Sequence, residues 1–297
     1  MNKRHAAVAA AALPLAALLT ACSGGGRSES GPSGGSHSSD VASDVTISHI
    51  HGLGLDPAGQ RLYVATHEGV YTPDADGKPR LVGDSKDDFM GFTVARKNTF
   101  YASGHPAPGA GGPANKGLIK STDGGRTWKS LSLSGESDFH ALDHAHGTVY
   151  GYDATNGLLR TSKDGVTWKD GAELDALDIA VAPDDPGLVL AATADGVARS
   201  TDGGKTFAKG KRPAMAFLSW TAEDALYGID PSGALHRSSD GGETWKKAGT
   251  VPGGRPQALT AVSSDRLLAA TESGVYESKD GGTSFTKRLT VAAADGH

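Results

Sequence analysis

A single cysteine, Cys22, occurs among 297 residues. No disulfide can form within the chain, so the fold must hold by burial and hydrogen bonding alone, even in an oxidising compartment. Basic residues are in short supply, with 29 Lys and Arg against 34 Asp and Glu. No basic stripe exists to meet phosphates, which argues against nucleic acid as a partner. Long apolar runs are missing as well. The one sustained stretch, Ala6 to Leu19, is too short to cross a bilayer. Beyond it, no segment repeats its apolar residues at helical spacing, and this excludes a helical domain.

What is present begins with a processing signal. Lys3 and Arg4 supply a charged start and Ala6 to Leu19 an apolar middle. Leu19-Thr20-Ala21-Cys22 resembles the lipobox of bacterial lipoproteins. That resemblance implies cleavage before Cys22, lipidation of Cys22, and anchoring of the exported chain to the outer face of the cell membrane. Loss of Lys3 and Arg4 moves the net charge from −5 to −7. Ser23 to Asp44 is rich in Gly and Ser and reads as a flexible tether spanning roughly 25 Å. The expected organisation is a signal peptide over 1–21, a lipidated cysteine and tether over 22–44, and one folded domain over 45–297.

Five copies of a short motif punctuate that domain. They read Ser121-Thr-Asp-Gly-Gly-Arg-Thr-Trp128, Ser162-Lys-Asp-Gly-Val-Thr-Trp168, Ser200-Thr-Asp-Gly-Gly-Lys-Thr-Phe207, Ser238-Ser-Asp-Gly-Gly-Glu-Thr-Trp245 and Ser278-Lys-Asp-Gly-Gly-Thr-Ser-Phe285. Their starts lie 41, 38, 38 and 40 residues apart, and a period near forty means one supersecondary unit per repeat. Each motif is a turn. Asp123, Asp164, Asp202, Asp240 and Asp280 accept backbone N–H groups, and the glycines take positive φ. An earlier unit keeps the frame without the full motif: Leu62–Tyr71 aligns with Leu267–Tyr276, and Asp74-Ala-Asp-Gly77 is its degenerate turn. Six units follow, near 47–83, 88–133, 138–172, 175–211, 214–249 and 256–291, each expected to hold four strands of its own. Short β-rich runs at this spacing specify an all-β, six-bladed β-propeller.

With these motifs the chain resembles the Asp-box (BNR-repeat) six-bladed propellers, the architecture of bacterial sialidases and related glycoside hydrolases, and bacterial lipoproteins of glycosyl-hydrolase-like type. Sialidase chemistry would need an arginine trio, a Tyr–Glu pair and an acid/base Asp. Arg160, Arg199 and Arg237 sit before the repeat turns, Arg126 within one, and Arg61 and Arg266 in hairpin turns on the same far face. No trio can be assembled from them. A plain glycosidase needs two carboxylates flanking the bond. Glu68, Asp178, Asp195, Asp230 and Glu272 are the acids expected toward the pocket, and no pair among them is marked out.

The repeat alignment gives a sharper pattern. In a propeller, the start of each blade's first strand and the end of its second lie at one face, because neighbouring strands are antiparallel. The first position is filled by His51, Met90 or Gly91, His140, Asp178, Met215 and, with a one-residue gap, Gln257; the second gives His67 and His105. His49, two residues before His51, points the same way. Thus His49, His51, His67, Met90, His105, His140 and Met215 are expected to converge on the channel mouth. Imidazole and thioether are transition-metal ligands, with copper first and zinc next. Asp178 would join them or hold a ring N–H from behind. Read singly, any of these residues is ordinary packing. His144 and His146 fall on the opposite face, His236 on a third strand, and His5, His37 and His297 in the signal, tether and tail. The loop Gly104–Gly117 emerges at the mouth and reads as a lid or a plain insertion, and Trp220 as packing or a sugar platform. Three functions stand open: a monomeric, membrane-tethered metal-binding propeller, a glycoside hydrolase, and a protein-binding scaffold.

Overall fold

The structure, a computed structural model, describes residues 47–58 and 60–291, and the signal, Cys22 and tether expectations lie outside them. Among the described residues every regular element is a strand, and the strands form six separate antiparallel sheets in chain order. The protein is a six-bladed β-propeller. The innermost strands are Ile50–Leu55, Asp88–Arg96, Phe139–Ala145, Asp178–Val181, Phe217–Trp220 and Pro256–Ala261. They surround a channel cavity of about 640 Å³.

Second strands such as Leu62–Thr66 and Leu267–Thr271 are buried at every residue. Their near-continuous apolar sequence follows from position, since each blade is packed between two others and shows neither face to water. Between blades one and two, for example, Tyr63, Ala65 and Val70 meet Phe89, Phe92 and Phe100, with the Tyr63 and Phe100 rings 4.7 Å apart. Blades six and one share an equivalent layer that runs from Ile47 to Val291 and closes the ring.

The repeat turns are joints between blades. In the turn of blade four, Ser200 Oγ donates to Asp202 Oδ1 at 2.8 Å, and the Gly204 N–H donates to Ser200 Oγ at 2.8 Å. The Thr206 N–H donates to Asp202 Oδ1 at 3.0 Å, and its hydroxyl to Oδ2 at 2.7 Å. These bonds, the Thr206 N–H foremost, hold the Asp202 carboxyl down at about 2. The turn then docks on the preceding blade, where the Ala172 N–H donates to Gly204 O at 2.9 Å. Blade one's degenerate turn makes the same joint with blade six, Thr290 N–H donating to Gly77 O at 3.1 Å. The turn aromatics pack sideways, Trp168 stacking on Phe139 at 4.8 Å.

A second series of contacts clips the inner strands together. One side chain at each seam accepts a backbone N–H from the neighbouring blade: Asp56 from Asn98, Ser103 from Phe139, Asp143 from Val181, Asp178 from Leu218, Ser219 from Ala261, and Gln257 from Ile50, all between 2.8 and 3.1 Å. Blade four departs from the expected four strands. It has three, and Val197 meets Lys211 through an isolated bridge where the fourth would run. The segment Lys209-Gly-Lys-Arg-Pro213 has no β-branched or aromatic residue to pack on an outer sheet.

Asp178 lines the channel half-buried, and Asp143 does so one blade away. Both carboxyls lie deep in the ring, and burial raises them, Asp178 to about 7 against the opposing Leu218 and Ile179 N–H bonds and with the Asp143 charge adding to the rise. Between 3.8 and about 7 the folded protein keeps a proton that the unfolded chain releases. Stability therefore falls as pH rises through that window and levels off above it. Asp178→Asn keeps a neutral acceptor for the Leu218 N–H at every pH. It is expected to match the parent near pH 4 and to exceed it at pH 8 by up to about 4 kcal/mol. Thermal melts across that range check this, and parallel curves for the two proteins would refute it.

Candidate functional site

Four of the six inner strands carry a β-bulge at their mouth end. Register slips at His51 in blade one, at Met90-Gly91 in blade two, at His140 in blade three and at Gln257 in blade six. A bulge leaves an extra residue unpaired and re-aims its side chain. The positions aligned from sequence are thus the ones the backbone frees from the ladder.

Around the first bulge, His49, His51 and His67 form a tight group, with ring centroids 4.7 Å apart for His49–His51 and 4.4 Å for His51–His67. His51 Nε2 lies 3.4 Å from His67 Nδ1 and 3.3 Å from His67 Nε2. Asp88, from blade two, completes the group, with Oδ2 2.9 Å from His67 Nδ1 and Oδ1 3.7 Å from His51 Nε2. His51, His67 and Asp88 each bring a ligand atom within 4.8 Å of the other two. Asp88 Oδ1 is buried without a hydrogen-bond partner. Gln257 reaches over from blade six, its Nε2 3.3 Å from His49 Nδ1. Burial, with His67 and His49 close by, drives the His51 imidazole down to about 3, so it is neutral and offers a lone pair at ordinary pH. Burial and His67 lower His49 in the same way.

A second group lies one blade along. Asp138 Oδ2 faces His140 Nε2 at 2.7 Å and His105 Nε2 at 3.4 Å. The hydrogen bond to Asp138 raises the His140 imidazole against its partial burial. His105 Nδ1 lies 3.0 Å from the carbonyl of Ala114, so the blade-two loop is tied to the mouth at its root.

The other expected residues are dispersed. Met215 is packed core, 1% exposed among Ala180, Leu190 and Leu226, with its sulfur against Gly228. It is no ligand, because the inner strand of blade five has no bulge to turn it toward the axis. Met90 is half-buried, two residues after Asp88 on the bulged strand. Asp178 serves as the clip between blades four and five. Glu68 accepts from Ser48, and Glu272 accepts the Arg255 N–H at 3.0 Å. Asp195 is exposed in its turn, and Asp230 caps its own turn and meets His236. Arg160 is spent on Asp153 and Asp170 and Arg266 and Arg288 on Glu277, each within its blade, while Arg199 meets Glu243 of the next blade. His144 stacks on Tyr101, and the His146 ring donates to Ala182 O at 2.9 Å.

Asp88 and Asp138 escaped the sequence reading. The signal for them was present: each stands two residues before the aligned mouth position, the offset that marked His49. Opposite faces of a strand alternate, so the same offset points all three the same way.

No protein family and no curated protein matches this sequence. Solved structures are similar in fold. The GH74 enzyme of Niastella koreensis is 18% identical, covering 82% of this chain and 46% of its own, at a TM-score of 0.58. Virginiamycin B lyase of Staphylococcus aureus is 14% identical, with 78% and 83% coverage and a TM-score of 0.55. YCF48, solved with a bound peptide, is 16% identical, with 83% and 84% coverage and a TM-score of 0.51. The chain spans less than half the length of the GH74 enzymes it resembles.

Proposed function

We propose that this protein is an exported propeller, tethered to the outer face of the cell membrane through lipidated Cys22, that binds a divalent transition-metal ion at its channel mouth. The observation that carries the reading is the meeting of His51, His67 and Asp88 from two blades, with a buried Asp88 oxygen left unpartnered. A nitrogen–nitrogen separation of 3.3 Å suits two ligands of one ion. Nitrogens each about 2.0–2.1 Å from a tetrahedral centre stand about 3.3–3.4 Å apart. A direct N–H···N bond would be shorter, near 3.0 Å. His49 packs against the group, its ring centroid 4.7 Å from that of His51 and 5.6 Å from that of His67.

The donor set alters the choice of metal. With Met215 in the core, the first group offers imidazole and carboxylate and no sulfur, which suits zinc(II) or copper(II) better than copper(I). The role that follows is capture, buffering or delivery of the ion by a monomer at the cell surface, without nucleic acid. The test is titration of metal-stripped protein with zinc(II) and copper(II) by calorimetry. Saturable binding at whole-number stoichiometry is expected, and an absence of heat with both ions would refute the reading.

A second reading keeps the Asp-box resemblance and the GH74 neighbour in view, as a glycoside hydrolase acting through mouth carboxylates. It predicts turnover of aryl glycosides that is lost on Asp88→Asn. A peptide-binding scaffold is the third, favoured by the peptide-bound neighbour alone.

A further inference from the structure

We infer that the outer flank of blade four is a binding site for a phosphate monoester, in a hollow walled by Arg199, Lys209 and Lys211. The hollow shares no lining residue with the channel cavity, and the inference does not depend on the metal reading.

The hollow opens where blade four lacks its outer strand. The third strand, Gly196–Ser200, is tied to the segment that follows at two points. The Ala208 N–H donates to Arg199 O at 2.9 Å, and Val197 and Lys211 exchange bonds at 2.9 and 3.0 Å. Beside these ties lies a cavity of about 380 Å³ that reaches the repeat turn of blade five at Gly242 and Glu243. That is the size of a small-molecule site, larger than a bare oxyanion needs. Val197, which is buried, and Phe207, which is half-buried, supply its apolar lining. Val197 and Arg199 stand two residues apart on one strand and so face the same side.

The charges in this lining point to an anion. Arg199, Lys209 and Lys211 face a single acid, Glu243, so three positive charges less one negative leave +2, in a chain whose total is −5. Glu243 is shared, 2.7 Å from Lys211 Nζ and 3.5 Å from Arg199 Nη1. Arg199 is left short of partners, because its Nε is buried with no hydrogen-bond acceptor. A guanidinium cannot shed its proton, and a buried donor without an acceptor is costly. An oxyanion in the hollow would satisfy it. Phosphate fits better than carboxylate, since a monoester carries about −1.5 to −2 at neutral pH and matches the local balance. Its three terminal oxygens can meet a planar fork and two ammonium groups together. Val197 and Phe207 then take the apolar body of the ester. The lining suits one phosphate head and not a nucleic-acid backbone, which needs a basic stripe.

Calorimetric titration of full-length protein with phenyl phosphate, in the presence of chelator, tests the site. Chelator keeps the channel mouth free of metal, so the result is independent of any ion there. Saturable binding is expected, tighter than that of inorganic phosphate and absent with phenol. Arg199→Gln and the pair Lys209→Gln/Lys211→Gln should each weaken it by about tenfold or more, because hydrogen bonds to charged groups are lost. Glu243→Gln should tighten it, because the one competing negative charge is gone. A residue that only held blades four and five together would not have that effect. Vesicles of phosphatidylcholine with and without phosphatidic acid distinguish the source of the phosphate. Capture by phosphatidic acid that is lost with the same substitutions assigns a lipid headgroup, and indifference to the vesicles assigns a soluble ester. Absence of saturable phenyl phosphate binding overturns the site, as does binding that survives both the arginine and the lysine substitutions. Should Arg199→Gln melt early, the lysine pair and Glu243→Gln decide, since all three residues are exposed.

Discussion

Zinc(II) at about a thousand times its dissociation constant is expected to raise the folding free energy by about 4 kcal/mol, by mass action. For a domain of this size that is a rise of about 8–16 °C in melting temperature. The ligands come from two blades and are spread from His51 to Asp88 along the chain, so the unfolded protein does not present them together. His51→Ala removes the least exposed imidazole of the group, 12% exposed, and the one whose lone pair is already free at ordinary pH. The affinity should fall by more than about 100-fold, a loss larger than that seen for residues that only orient ligands. At the same zinc concentration about 2.8 kcal/mol of the gain disappears. In metal-free buffer the same variant relieves crowding among three imidazoles, and its melting temperature should move little. Equal zinc-induced shifts in parent and variant would contradict the assignment of His51.

The second large effect is structural. Gly204 sits at φ +84, and a Cβ built there meets Leu159 Cδ2 of the preceding blade at 2.1 Å. Leu159 is fully buried and has no room to retreat. Gly204→Ala therefore adds overpacking of about 1–3 kcal/mol to a left-handed backbone cost of about 1–2 kcal/mol. Gly157 is the internal control, with φ +65 and nothing within 4 Å of a built Cβ. Gly157→Ala carries the backbone cost alone. Denaturant unfolding of the two variants should differ by the overpacking, and equal losses would mean that the joint between blades is looser than drawn.

The propeller was legible because its instructions are local and repeated. A Ser-x-Asp-Gly turn specifies its own hydrogen bonds, and five copies near one period leave few architectures to choose from. The candidate site was half legible. His49, His51 and His67 meet as the alignment places them, and His105 and His140 converge on Asp138, because bulges and strand ends recur at fixed offsets. Two aspartates were overlooked because acidic residues at blade starts read as surface. Met215 was misplaced because alignment gives a position along a strand but not the register slip that decides which way it turns. The missing outer strand of blade four depends on packing that no single repeat encodes.

Each sheet is built from consecutive segments, so no strand is borrowed across the gap between the first module and the last. The join relies on Gln257, the Gly77 carbonyl and a shared apolar layer, the same kinds of contact that hold the other five. The chain's ends are therefore interchangeable in principle with any other inter-module loop. A circular permutant opened between modules three and four, with the old termini linked, would exchange one non-covalent closure for another and should keep the same circular order.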